Sequence, residues 1–370
     1  MKILLLSDAN SIHTQRWVKS ISANGFEINL FSLFSPSRDS NKKYNKYNVK
    51  IISPDLKSNI NNLREPNISK IKYLKSIPLL KRIIKDFKPD ILHAHYASSY
   101  GILGLLSGFK PFILSVWGSD INHFPYQNKF NSWIIRLVIK NADVVCSTSK
   151  SMKEIIENEY KRYDVKLIPF GIDIDLFNSG TMDKKKFTVG TIKSIEEHNG
   201  IDCLLNAAKL IIYDYNIDID FIIVGGGSML NEMQKMAVAL SIENNVKFVG
   251  QVDHEEVIKY YNCISIFIAV SRRESFGVSV LEAAACEIPS ITSNVGGLTE
   301  VNVHYKTGFV VNPDDPVKLA ESIIELYRDE NLRLGLGIEA RKRVINQFNW
   351  NDNVNQMINI YKSHNNQKNI

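Results

Sequence analysis

Cysteine is scarce in this chain of 370 residues: Cys146, Cys203, Cys263 and Cys286 are separated by gaps of 57, 60 and 23, which fit neither a disulfide framework nor a zinc site. A reducing compartment is therefore expected. Long apolar runs are missing too. Met1 and Lys2 are followed by only four apolar residues before Ser7 and Asp8, too few for the apolar part of a signal peptide. No stretch approaches the ~18–20 apolar residues of a spanning helix, so the chain is expected in the cytoplasm and not integral to a membrane. No Ser-His-Asp set or metal-spaced histidine cluster stands out. Gly225-Gly226-Gly227 follows an apolar run, but the sequence G-G-G-S-M-L lacks the last glycine of a dinucleotide fingerprint, which disfavours NAD. The D-x-D triplets at Asp173-Asp175 and Asp218-Asp220 make poor metal sites where they stand. Neither a metal nor a resident cofactor is expected.

What is present is ordinary for a globular protein, with 44% apolar and 23% charged residues. The length exceeds what one hydrophobic core organises, so two domains are expected. Charge is uneven. Residues 1–165 hold 25 basic and 13 acidic side chains, a net +12, whereas the remainder nets −6. Residues 38–88 alone carry 14 basic against 4 acidic, among them Lys42, Lys43, Lys46, Lys81, Arg82 and Lys85. Such a face seeks anions, and several bases together hold a soluble protein at an anionic lipid surface reversibly, at ~1 kcal/mol each. The plainer alternative is a solvated basic face. Nucleic acid is a poorer fit, because Tyr44, Tyr47 and Tyr73 form no recognisable base-reading pattern.

Read in order, residues 2–6 form a buried strand, 13–24 an amphipathic helix and 26–33 a second strand. Periodicity then weakens, and residues 38–69 are expected to be irregular before a helix at 71–87. A strand at 91–92, a polar loop at 93–99, a strand at 112–116, a loop at 117–120, a helix and a strand at 143–146 follow. Residues 165–169 give one more strand. Residues 169–186 lose periodicity and gain Gly, Asp and Lys, the mark of a linker. Strands and helices alternate again over 187–350. The alternation predicts an α/β protein of two doubly wound, Rossmann-like parallel domains, 1–168 and 187–350, facing across a cleft, with ligands at the carboxyl ends of the strands. The closing helix, within 351–370, is expected to pack back on the first domain.

The most informative stretch is 273–286, R-E-S-F-G-V-S-V-L-E-A-A-A-C, preceded by the β-branched run 264–270. A strand feeds a Ser275-Phe276-Gly277 turn that opens a helix near Val278, whose first amides can hold an anion. Glu274 and Glu282, eight residues apart, do not favour phosphate but accept strongly from hydroxyls. A phosphate between two hydroxyl-rich groups describes a nucleotide sugar. The bland alternative is a surface helix with two solvated glutamates.

Five segments in order resemble the retaining glycosyltransferases of family 4, whose fold is GT-B, over nearly the whole chain. E-S-F-G-V-S-V-L-E-A-A-A-C-E-I-P is similar to the family's E-x7-E signature, and residues 294–300 to its G-G-x-x-E loop. Residues 168–177, 308–319 and 89–96 match its linker, G-F-L-V-x-P-x-D-P and first-domain segments. The resemblance implies that the second domain binds a nucleoside diphosphate sugar as donor substrate and the first an acceptor, without metal. It implies that Glu274 contacts the transferred sugar, Glu282 the ribose, the turn at Ser275, Phe276, Gly277 and Val278 the sugar or distal phosphate, and the backbone near Val252 the base. Gly225 lies in a further loop of that site. Lys193 matches the first basic position of the loop that neutralises the leaving diphosphate. His198 stands where the family usually has Lys, which implies donor binding that weakens as pH rises through about 7–8. Trp117 replaces a histidine that many members place on the donor sugar, so either His95 or Asp120 takes some of that role or the site relies on backbone contacts. Asn10, Ser11 and His13 are expected to face the acceptor or the donor phosphates, and Tyr96 to stack on a sugar ring. The activity implied is a retaining, metal-independent hexosyl transfer to a glycan or lipid-linked acceptor for lipopolysaccharide, capsule or exopolysaccharide, at the inner face of the cell membrane. A nucleotide-sugar epimerase or hydrolase of the same fold, or a non-catalytic binding module, are the alternatives.

Overall fold

The computed structural model describes residues 1–56, 71–180 and 186–366. Two compact units divide it, Met1–Pro169 with the chain from Asn353, and Phe170–Asp352. Residues 57–70 of the basic stretch and 181–185 of the expected linker lie outside the described residues.

The first unit is built on β1 (Lys2–Leu6), β2 (Glu27–Phe31), β3 (Lys50–Ile52), β4 (Ile91–His95), β5 (Phe112–Val116), β6 (Val144–Ser147) and β7 (Lys166–Leu167). All pairs are parallel, in the order β3-β2-β1-β4-β5-β6-β7. Helices cover the sheet, so β4 and β5 are buried along their whole length, as a parallel sheet requires. The second unit holds β8 (Thr188–Ile192), β9 (Asp220–Val224), β10 (Val246–Gly250), β11 (Ile266–Ala269), β12 (Ser290–Ser293) and β13 (Gly308–Val311), again all parallel, in the order β10-β9-β8-β11-β12-β13. Each unit is therefore doubly wound, as the alternating pattern predicts. The strand order reverses between β1 and β4 in one sheet and between β8 and β11 in the other. At such switch points neighbouring loops diverge and leave a crevice. No helix among the described residues is long and apolar enough to cross a membrane.

Part of the stretch expected to be irregular is ordered. Arg38–Lys46 is a helix capped by the Ser37 hydroxyl, which accepts from Ser40 N at 3.1 Å, and β3 follows it. The helix buries only Ser40 and Tyr44, so it shows no apolar stripe; it docks through the fully buried Tyr44, whose hydroxyl donates to Ala9 O at 3.0 Å. The helix expected over 71–87 is broken into Ile71–Leu74 and Ile77–Phe87, with Pro78 in the opening turn of the second piece. His93 and His95 belong to β4 and not to a loop, both 1% exposed. A buried strand tolerates them because each ring is partnered.

The closing helix Trp350–Asn366 buries Val354, Met357, Ile358 and Tyr361, an i, i+3, i+4, i+7 stripe. Asn353 Nδ2 donates to Pro169 O at 2.9 Å. Tyr361 reaches the sheet: its hydroxyl lies 2.7 Å from His93 Nδ1, while His93 Nε2 lies 2.8 Å from Ser115 Oγ. Burial pulls the His93 imidazole down to about 3, so it is neutral at every physiological pH. Tyr361→Phe strands a buried ring nitrogen and is expected to destabilise the protein by ~1–3 kcal/mol. A urea midpoint equal to that of the parent protein would show that the bond contributes nothing.

Candidate active site

The loops after β8 and β11 flank the switch point of the second sheet. Lys193, the first residue past β8, donates from Nζ to Glu274 Oε2 at 2.5 Å and to Ser271 Oγ at 2.8 Å. The Lys193 side chain is 8% exposed and that of Glu274 22%. Burial pushes the Glu274 carboxyl up, but the Lys193 ammonium and the amides of Ser275 and Phe276 outweigh it and hold the pKa below the ordinary value. Glu274 is thus ionised at neutral pH.

The loops reach one another because glycine backbones let them. Gly225 has φ +144°, and a Cβ there would lie 1.9 Å from Lys193 O. Ile195 N donates to Gly226 O at 2.9 Å, and Gly225 N to Gly250 O at 2.9 Å, so residues 193–195, 225–227 and the end of β10 line up. Val252 lies two residues past β10. On the other side Gly296 has φ +47°, and a Cβ would meet Glu274 O at 2.0 Å. The triple glycine that lacks a dinucleotide pattern is a close-approach device for the Lys193 loop.

His198 sits in the turn Glu197–Asn199. Asn199 Nδ2 donates to Ser194 O at 2.7 Å, and Arg272 N donates to His198 O at 2.8 Å. The Arg272 guanidinium also holds Glu197 O and forms ion pairs with Asp202 and Asp314, both at 2.6 Å. Burial lowers the His198 pKa first; the charges of Arg273 and Lys193 lower it further and outweigh Glu274 and Glu196. The ligand-free ring is neutral at pH 7, so its titration starts below the window expected from an unperturbed histidine.

Gly277, at φ +100°, opens the helix Val278–Ala285 at the expected place. The Ser275 amide donates to Glu274 Oε1 at 3.0 Å, and Phe276, 2% exposed, packs its ring 6.2 Å from Phe170 and 5.9 Å from Phe348. Phe276 thus anchors the turn. Glu282 is 5% exposed, and both of its oxygens are occupied: Oε2 accepts from the Tyr261 hydroxyl at 2.8 Å, and Oε1 lies 3.0 Å from His254 Nε2. Burial, with Glu282 beside it, raises the Tyr261 phenol well above its ordinary value and keeps it a donor. Sequence reasoning missed both partners. Only the nearness of His254 to Val252 hinted at one.

In the first unit the loops after β1, β4 and β5 leave adjacent strands. His95 Nδ1 lies 3.0 Å from Ser7 Oγ, and its ring packs 4.4 Å from Trp117 and 4.6 Å from His93. Burial, then His93 and His13, lower its pKa well below the ordinary value, so His95 is a neutral imidazole. Tyr96 takes the strained φ of +79° and bonds its hydroxyl to Ser119 Oγ. Asp120, expected to face a ligand, is instead 0% exposed: its carboxylate accepts from Ala97 N at 2.8 Å, Gly118 N at 2.8 Å and Trp117 N at 3.2 Å. It orders two loops, because a buried carboxylate needs amides around it. His13 stands in the first turn of the helix Ile12–Ala23, which Ser11 precedes without a side-chain cap bond, and its ring lies 5.8 Å from Trp117. Asn10 is turned to its own loop, donating to Ser35 O at 3.1 Å and accepting from Ser37 N at 2.8 Å.

Residues 173–343 match the family model described as "Glycosyl transferases group 1", and residues 2–149 match "Glycosyl transferase 4-like". This chain is a group 1 glycosyltransferase. N-acetyl-alpha-D-glucosaminyl L-malate synthase of Bacillus anthracis is 29% identical over 287 residues, covering 74% of each chain. Capsular polysaccharide biosynthesis glycosyltransferase CapM of Staphylococcus aureus is 28% identical over 297 residues, covering 74% of this chain and 77% of its own. Among solved structures, Anabaena HepE in complex with UDP superposes with TM-score 0.79 at 18% identity, covering 98% of this chain and 100% of its own. That likeness is one of fold, and the fold is GT-B.

In the glycosyltransferase both D-x-D triplets make contacts of their own. Asp173 Oδ1 accepts from Asp175 N at 3.2 Å and Leu176 N at 3.1 Å, while Asp218 and Asp220 pair with Lys186 at 3.5 and 2.8 Å. Among the described residues no group of three or more His, Cys, Asp or Glu side chains is arranged to hold a metal ion. The His198 imidazole, assigned in NMR spectra by comparison with His198→Gln, is expected to titrate with a midpoint below the ordinary 6.5 in ligand-free protein. A midpoint at or above that value would contradict this electrostatic account.

Proposed function

We propose that this glycosyltransferase is a retaining enzyme that moves a sugar from a nucleoside diphosphate sugar to a glycan or lipid-linked acceptor in surface-polysaccharide synthesis. The observation that carries the donor half is the Lys193–Glu274 pair, 2.5 Å apart at the switch point of the second sheet. It sets a cation and a hydroxyl-accepting carboxylate side by side, beside a helix start. The UDP held by HepE and the capsular role in the name of CapM agree with this reading.

The donor diphosphate takes over Lys193 from Glu274, and the released carboxylate accepts hydroxyls of the transferred sugar. As the bond from the anomeric carbon to the phosphate oxygen breaks, charge grows on the leaving diphosphate, and Lys193 stabilises it electrostatically. The acceptor oxygen bonds to the anomeric carbon on the same face, and a leaving phosphate oxygen takes the acceptor proton. Glu282, already held by Tyr261 and His254, accepts a ribose hydroxyl by exchanging His254. In the first unit His95 is neutral, so it serves the acceptor as a hydrogen-bonding ring and not as a charged acid.

With UDP-, GDP- and ADP-sugars and an acceptor extract, Lys193→Ala and Glu274→Ala are each expected to lower kcat by ~10²–10³. Rapid conversion of donor without acceptor would instead mark an epimerase or hydrolase. Unchanged cellular function of both variants would mark a binding module.

The cytoplasmic, membrane-associated part of the reading draws support from the helix Lys129–Asn141 as well as from the basic 38–88 stretch. That helix carries Lys129, Arg136 and Lys140 with no acid. Phe130 and Trp133 are 65% and 54% exposed with rings stacked 5.9 Å apart, and Tyr126 just before them is 58% exposed. Aromatics with bases beside them suit the head-group level of an anionic leaflet. Phe130→Ser with Trp133→Ser is expected to weaken sedimentation with phosphatidylglycerol vesicles at least ~10-fold, from the ~1.5–3 kcal/mol each apolar ring contributes when buried. Equal sedimentation of parent and variant would refute this surface.

A further inference from the structure

A donor diphosphate brings two or more negative charges into the second unit, and the cations already identified there are largely spent. Lys193 is balanced by Glu274 at 2.5 Å. Arg272 is balanced twice over, by Asp202 and Asp314 at 2.6 Å each, and its remaining reach goes to Glu197 O. Its task is to pin the 197–199 turn, which its backbone amide also grips through His198 O at 2.8 Å. When the diphosphate enters, Glu274 stays in the site with its charge, so Lys193 and Glu274 together still sum to zero.

Arg273 is different. It lies between the clamp Arg272 and the carboxylate Glu274 and is exposed, and its guanidinium makes no ion pair or hydrogen bond among the described residues. The Arg272 N to His198 O bond runs its segment alongside the turn that carries His198. Burial apart, the Arg273 charge is the largest influence on the His198 ring, ahead of Lys193. Arg273 therefore stands where the diphosphate charge must be met.

We propose that Arg273 binds the donor diphosphate as the second permanent cation of the site, a role that rests on the donor reading above. A guanidinium presents a planar fork matched to two phosphate oxygens and stays charged at any working pH, and an unpaired one enters this contact without first breaking another. His198 then supplies a ring whose proton uptake follows diphosphate binding, and the guanidinium carries the charge that does not depend on pH.

The test is calorimetric titration of the full chain with UDP, GDP and ADP, for the parent, Arg273→Gln, Arg273→Lys and Lys193→Ala. Arg273→Gln is expected to weaken the preferred nucleotide at least tenfold and to flatten the salt dependence of binding, with Arg273→Lys in between. Removing that charge also raises the NMR titration midpoint of His198 in ligand-free protein, which a purely structural role would not do. Nucleotide binding by Arg273→Gln within twofold of the parent, while Lys193→Ala loses it, would overturn the role of Arg273 and leave the donor reading standing. Failure of the parent to bind any of the three would sink the donor reading, and this role with it.

Discussion

The Lys193–Glu274 ion pair is the constraint on which the second unit turns. Two charges at 2.5 Å, neither well exposed, forfeit much of their hydration. The surroundings compensate with specific partners: Ser271 Oγ on the ammonium and the Ser275 amide on the carboxylate. The backbone is shaped around the pair as well. Gly225 lets one loop press on Lys193 and Gly296 lets another press on Glu274, at separations no side chain could occupy. In the ligand-free protein the pair is self-neutralised, which stores both a cation and an acceptor without leaving either charge uncompensated. A ligand that offers an anion to one and hydroxyls to the other exchanges like for like. Removing one partner leaves the other buried and alone, typically a loss of ~3–5 kcal/mol.

Glu274 and Glu282 are not equivalent. Glu274 faces a permanent cation and is held ionised, whereas Glu282 lies on the inner side of the helix among a phenol that stays protonated and an imidazole. One carboxylate faces a lysine ammonium, the other a phenol and an imidazole ring.

The doubly wound architecture, the switch-point loops and the helix start at Val278 were legible in the sequence, because a buried parallel strand and an amphipathic helix leave distinct apolar periods. The helix Arg38–Lys46 was not, since it buries one tyrosine and one serine and shows no apolar stripe. His93 and His95 read as loop residues because a polar side chain in a strand betrays itself only through its partners, and Tyr361 lies 268 positions from His93. Tyr261 and His254 are likewise 21 and 28 residues from Glu282, so no local spacing links them. Asp120 was misplaced for a related reason. A carboxylate in a loop reads as exposed, and only the three amides converging on it show that it is an internal brace.

Three histidines follow one rule. His93 and His95 are buried and neutral in the first unit, and His198 is driven neutral in the second by burial and by its cationic neighbours. None supplies a standing positive charge at neutral pH. Positive charge toward a ligand must then come from groups that cannot release it easily, a lysine clamped to a carboxylate and an arginine beside it. Charge held on such groups varies little over a broad pH range. The His198 ring is instead placed to take up a proton when an anion arrives to favour its charged form.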